Sequence, residues 1–136
     1  MSLRSLLWIA LLLAFAFALG WGPQEWRKRN LAERLDETAL ELRLARLHGQ
    51  LGVASHEAMR NNFAEASVAA RAFFDGCIAT EHEFDLSERP RTRLALSAYS
   101  RQSDLVLGEL SLGDPVVKQR LASLYLTMAG VIERKQ

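Results

Sequence analysis

Few side chains in this sequence are spaced for chemistry. His48 and His56 stand eight residues apart, about 80° around a helix and roughly 12 Å along it. That is too wide for one metal ion, although either imidazole alone could ligate a tetrapyrrole inside a helical bundle. Cys77, Glu81 and His82 have spacings that could gather three ligands. Yet Cys77 lies in register with Phe63 and Phe73, where a thiol behaves as a small hydrophobe. A Gly-rich phosphate loop, a G-x-S-x-G elbow, an H-E-x-x-H pair and an EF-hand loop are all missing. No nucleophile, base and orienter assemble from what is left. The sequence therefore points to a non-enzyme, with no cofactor and no metal.

The most polarised stretch is "EHEFDLSERPRTR", Glu81 to Arg93. Glu81, Glu83, Asp85 and Glu88 precede Arg89, Arg91 and Arg93. These arginines fall at the start of a predicted helix, where the dipole disfavours cations. One reading is a solvated loop with locally paired charges. The functional reading is a docking patch, because arginine is enriched at interfaces.

The chain has 136 residues, with 17 Lys+Arg against 16 Asp+Glu. Such a balance gives no basic footprint for nucleic acid. With 49% hydrophobic and 24% charged residues, it has the composition of a folded chain. The single cysteine excludes an intrachain disulfide and a thiolate cluster.

"SLLWIALLLAFAFALGWG", Ser5 to Gly22, carries no charge. About 17 apolar residues cover roughly 25 Å as a helix, enough for a short membrane span. Trp8 near one end, and Trp21 and Trp26 near the other, suit headgroup depth. A cleaved signal would use Arg4, the run Leu6 to Leu13, and Ala14-Phe15-Ala16 or Ala16-Phe17-Ala18. The apolar run continues past both cut sites, so an uncleaved anchor is expected. Gly20, Gly22 and Pro23 mark its exit. Arg27, Lys28 and Arg29 follow, and basic residues beside a span favour the cytoplasmic side. The expected location is a single-pass cell membrane protein with its body in the cytoplasm. The alternative is a signal-anchor that exports the body to the periplasmic or extracytoplasmic side.

The rest reads as helix, with no persistent alternation and no Asn-Gly or Asp-Gly turn. Four segments are predicted. In the first, from about Gln24 to Arg60, Leu31, Leu35, Thr38 and Leu42 form one stripe. Leu40, Leu44, Leu47, Leu51, Ala54 and Ala58 form another, about 180° away. Either the helix bends, or different neighbours cover each half, or the nearer stripe meets another chain. Leu31, Leu35 and Leu42 are therefore candidate partner-interface residues, with Arg89, Arg91 and Arg93. The second segment begins near Asn62, a candidate cap with Glu65 in a capping box, after Asn61 in a left-handed turn. Its stripe is Phe63, Ala66, Ala70, Phe73 and Cys77, widened by Ala69, Phe74 and Ile78. The third runs from about Pro90 to Leu110, with Leu94, Ala98, Tyr99, Leu105, Val106 and Leu110 on one face. "SLGDP" then places Gly113 in a turn, Asp114 as N-cap and Pro115 at the first helical position. Val117, Leu121, Leu124, Met128 and Val131 form the last stripe.

"NNFAEA", Asn61 to Ala66, resembles the turn and second-helix start of a tetratricopeptide repeat. Glu65 and Ala66 match that pattern. Gln50 stands where the repeat prefers Trp, and Ala54 where it prefers Gly. The resemblance covers about residues 47–78 and has no second copy, whereas a solenoid usually needs three. It implies a protein-binding hairpin.

The expected architecture is all-α: residues 1–22 a transmembrane anchor, 23–46 a juxtamembrane helix, and 47–136 a small antiparallel helical bundle. The expected function is a membrane-anchored adaptor, an accessory or assembly subunit whose partners are the lipid bilayer and other subunits of a membrane complex. The alternative is a small-ligand or cofactor-binding sensor bundle.

Overall fold

The computed structural model describes residues 3–133, with side chains for Trp8 and for residues 31–132. Among these the chain is all helical: α1 (Leu3–Met59), α2 (Phe63–Glu83), α3 (Pro90–Ser100), α4 (Ser103–Leu112) and α5 (Val116–Glu133). It divides into two compact units, Met1–Thr38 and Ala39–Gln136, with the division inside α1.

In the first unit, Leu31 and Leu35 are exposed, and the Thr38 hydroxyl donates to the Arg34 carbonyl at 2.8 Å. Trp8 is exposed. The other side chains of the apolar run Ser5–Gly22 lie outside the described residues, as do those of Trp26, Arg27, Lys28 and Arg29. Among the described residues, no helix is long and apolar enough to cross a membrane.

The second unit is a helical bundle. All six residues of the distal α1 stripe, from Leu40 to Ala58, are buried. They meet Ala66, Ala70, Phe73, Phe74 and Cys77 of α2 in one core. α2 also packs against α3 and α4, and α5 against α3 and α4. Small residues set the spacing of α1 and α2. A Cβ added to Gly76 would lie 2.5 Å from Leu47 Cδ2, and Leu47 is itself buried. Phe73 stands edge-on to Phe74 and to Tyr99, with ring centroids 5.2 and 5.6 Å apart.

Two turns share one design. At the end of α1, the Asn62 N–H donates to the Glu57 carbonyl and the Asn61 N–H to Ala58. Asn61 takes φ +62°. At the end of α4, Asp114 and Gly113 donate likewise to Glu109 and Leu110, with Gly113 at φ +66°. Both are Schellman endings, which satisfy the last carbonyls of a helix. The Asp114 carboxylate then accepts the Val116 N–H at 2.9 Å and caps α5.

Several sequence expectations differ from the structure, beginning with the expected exit at Gly20, Gly22 and Pro23, through which α1 runs unbroken. Asn62 precedes α2 but makes no side-chain cap bond, because its amide donates back to Glu57 at 2.9 Å. The predicted helix from Pro90 to Leu110 is two helices. The Arg101 N–H still reaches the Ser97 carbonyl, but at the break the Gln102 side chain takes the Ala98 carbonyl. The Gln102 N–H then bonds only three residues back, to Tyr99, which ends the α-helical ladder. The buried side of α3 and α4 is Leu96, Tyr99, Val106 and Leu110, while Leu94, Ala98 and Leu105 face out. Ile78 is also exposed, since α2 buries the Phe73–Cys77–Thr80 side.

Gly49 and Gly76 should respond oppositely to alanine. Nothing lies within 4 Å of a Cβ at Gly49, so Gly49→Ala should add about 0.5–1 kcal/mol of stability through helix propensity. Gly76→Ala should remove about 1–2 kcal/mol net, because Leu47 has nowhere to move. Urea denaturation of the two variants measures both signs.

Candidate functional site

The structure separates the residues that sequence spacing suggested for a metal site. Cys77 points into the core, Glu81 is half-buried and His82 is exposed. Among the described residues no group of three His, Cys, Asp or Glu side chains could hold a metal ion. Burial pushes the Cys77 thiol up to about 12, with Glu81 adding to the shift. Burial does the same to the Tyr99 hydroxyl, also to about 12. That hydroxyl is buried and has no hydrogen-bond partner among the described residues.

His48 and His56 border one shallow cavity of about 660 Å³ between α1 and α5, with Gly49, Gly52, Val53 and Tyr125. His48 stacks on Tyr125, ring centroids 4.2 Å apart and 21° from parallel. Gly52 makes room for that ring: an added Cβ would stand 3.1 Å from it. The stack is a packing contact of α1 on α5.

The predicted arginine patch is split. Arg89 and Arg91 border a cavity of about 560 Å³ between the start of α3 and the outer side of α5. Glu88, in the loop before α3, and Pro90 and Thr92 complete that wall, and Leu126, Thr127, Gly130 and Val131 form the other. Leu126 is 70% exposed. Arg93 instead borders a second cavity, about 470 Å³, with Glu81, His82 and the loop from Phe84 to Ser87. Leu86 pins that loop by its burial. Asp85 closes a local turn by accepting the Ser87 N–H at 3.0 Å, and Ser87 holds its carboxyl below the ordinary value.

Sequence reasoning missed the α5 wall. Leu126 falls off the buried stripe between Leu124 and Met128, so an exposed leucine was the available signal. It also missed the pair of bonds from Arg120 to Glu109, 2.8 and 2.9 Å, which hold the guanidinium above its ordinary pKa. The leucine stripe was legible: Leu31, Leu35 and Leu42 are 60%, 62% and 65% exposed.

The chain matches no protein-family model, no curated protein and no solved structure. The described surface carries an apolar cavity bordered by Arg89 and Arg91 and three exposed leucines.

Two buried groups give a pH-dependent test. Both Cys77 and Tyr99 have folded pKa values raised above the unfolded ones, so the folded state holds their protons longer. Their contribution is fully present below about pH 9 and is lost as pH rises towards 12. Stability should fall across that window, and less steeply in Cys77→Ala and in Tyr99→Phe. At neutral pH, Cys77→Ala should cost roughly 1 kcal/mol. Tyr99→Phe should be neutral or stabilising, since it removes an unsatisfied hydroxyl. Rapid labelling of Cys77 by a thiol reagent in the native state would contradict this placement.

Proposed function

We propose that this protein is a membrane-anchored helical adaptor, an accessory or assembly subunit of a larger membrane complex. The observation that carries it is the pair of opposed apolar stripes on α1. The distal stripe, Leu40 to Ala58, is buried in the chain's own core. Leu31, Leu35 and Leu42 remain more than half exposed. Leaving each in water forgoes roughly 2 kcal/mol of burial, which association with another polypeptide would recover.

Anchoring is supported by the uncharged run Ser5–Gly22 and by Trp8, Trp21 and Trp26 at headgroup spacing. Arg27, Lys28 and Arg29 after the run favour a body in the cytoplasm. The resemblance of Asn61–Ala66 to a tetratricopeptide hairpin adds weight to protein binding. In the sensor reading, a ligand would occupy the bundle interior. Against it stands a core built on close-packed alanines, with Ala54, Ala58, Ala66 and Ala70 buried.

Replacing Leu31, Leu35 and Leu42 together by glutamine tests the adaptor. In mild detergent the wild-type chain should co-purify with other protein subunits, and the triple variant should lose them while melting almost as before. A loss of several kcal/mol of intrinsic stability, with the co-purifying set unchanged, would instead make these leucines internal packing and overturn the proposal. Removing residues 1–30 should release the body to the soluble fraction, since no second apolar run of spanning length follows.

A further inference from the structure

We propose that the cavity between α3 and α5 is a receptor for the free C-terminus of a partner polypeptide whose last residues are apolar. The inference rests on the protein-binding reading above and names the chemistry of one partner segment. The cavity measures about 560 Å³, within the range of built ligand sites. Its α5 wall is Leu126 and Val131, and Pro90 faces them from α3. Leu126, at 70% exposure, is a large apolar group left uncovered among the described residues. Gly130 keeps this wall low, because nothing lies within 4 Å of a Cβ placed there.

Charge decides the kind of apolar occupant. Arg91 is exposed and borders the cavity, and it has no hydrogen-bond or ion-pair partner among the described residues. Its planar fork suits the two oxygens of a carboxylate. Glu88 borders the same cavity and can accept an N–H. A chain terminus supplies both complements on one short segment: a carboxylate, the amide N–H groups before it, and apolar side chains for Leu126 and Val131. A free phosphate would leave that apolar wall uncovered. A tetrapyrrole would need an axial donor, and no histidine borders this cavity.

The test uses the full-length chain in non-ionic detergent. The probe is a short fluorescein-labelled peptide ending in valine and leucine, with either a free C-terminal carboxylate or an amide. Fluorescence anisotropy should show the acid binding about tenfold more tightly than the amide, the ratio expected for one charge-assisted hydrogen bond. Arg91→Gln should abolish that ratio, and Leu126→Glu should weaken the acid form further. Both side chains are exposed, so circular dichroism should be unchanged in each variant. Equal binding of acid and amide, or an Arg91→Gln variant that keeps the ratio, overturns the proposal. So does octanoate displacing the probe as effectively as unlabelled peptide acid, because the occupant would then be an amphiphile rather than a chain terminus. Failure of the peptide with co-purification intact removes this receptor and leaves the adaptor standing. Loss of both removes the adaptor as well.

Discussion

The contact of Leu47 with Gly76 sets the dimensions of the bundle. A methyl group at Gly76 would meet Leu47 at 2.5 Å, so the approach of α1 to α2 is as close as a side chain on the facing helix allows. The small residues Ala54, Ala58, Ala66 and Ala70 are all buried in the same core. With α2 held this near α1, Phe73 and Cys77 are fully enclosed, and Phe73 reaches Tyr99 of α3 edge-on. Burial of the thiol and the phenol follows from that spacing, as do their raised pKa values. Dense interiors transmit such constraints because voids are few and shifts are shared.

The fold was legible where one face is buried over many turns. Leu40, Leu44, Leu47, Leu51, Ala54 and Ala58 step by four and three without a miss, and every one is buried. Periodicity failed where helices are short. Leu94 and Leu105 fit a face of one long helix, but the Gln102 N–H turns to Tyr99 while its side chain takes the Ala98 carbonyl. Gly76 could not be found by hydropathy, since its importance is the absence of a side chain opposite Leu47. The site was half legible. Arg89, Arg91 and Arg93 were visible as a cluster in sequence, yet helical geometry sends Arg93 to a different cavity from Arg91. The opposite wall comes from α5, more than thirty residues on, and no spacing rule links the two.

The two Schellman turns belong to one end of the second unit. Gly113, between α4 and α5, lies against the Phe63 ring at the start of α2. Lys118 reaches across to donate to the Asn61 side chain at 2.6 Å, and its ammonium stands 5.8 Å from the Phe63 ring centroid. Asn61 thus does two jobs: it supplies the left-handed residue that closes α1 and offers an acceptor to α5. Substituted by glycine, the turn would keep its conformation and lose the tie.

Charge placement separates structural from available groups. Arg120 bonds Glu109 twice across the α4–α5 turn, Arg43 bonds Glu83 between α1 and α2, and Lys118 bonds Asn61. Each of these pairs joins two elements or closes a turn. Arg91 does neither, although it stands in the first turn of α3, where the helix dipole opposes a cation. An exposed guanidinium with no bond among the described residues adds little to folding. A carboxylate in the cavity would offset both the dipole and the charge. An uncovered Leu126 across from it would gain burial in the same event, which couples the polar and apolar halves of one recognition surface.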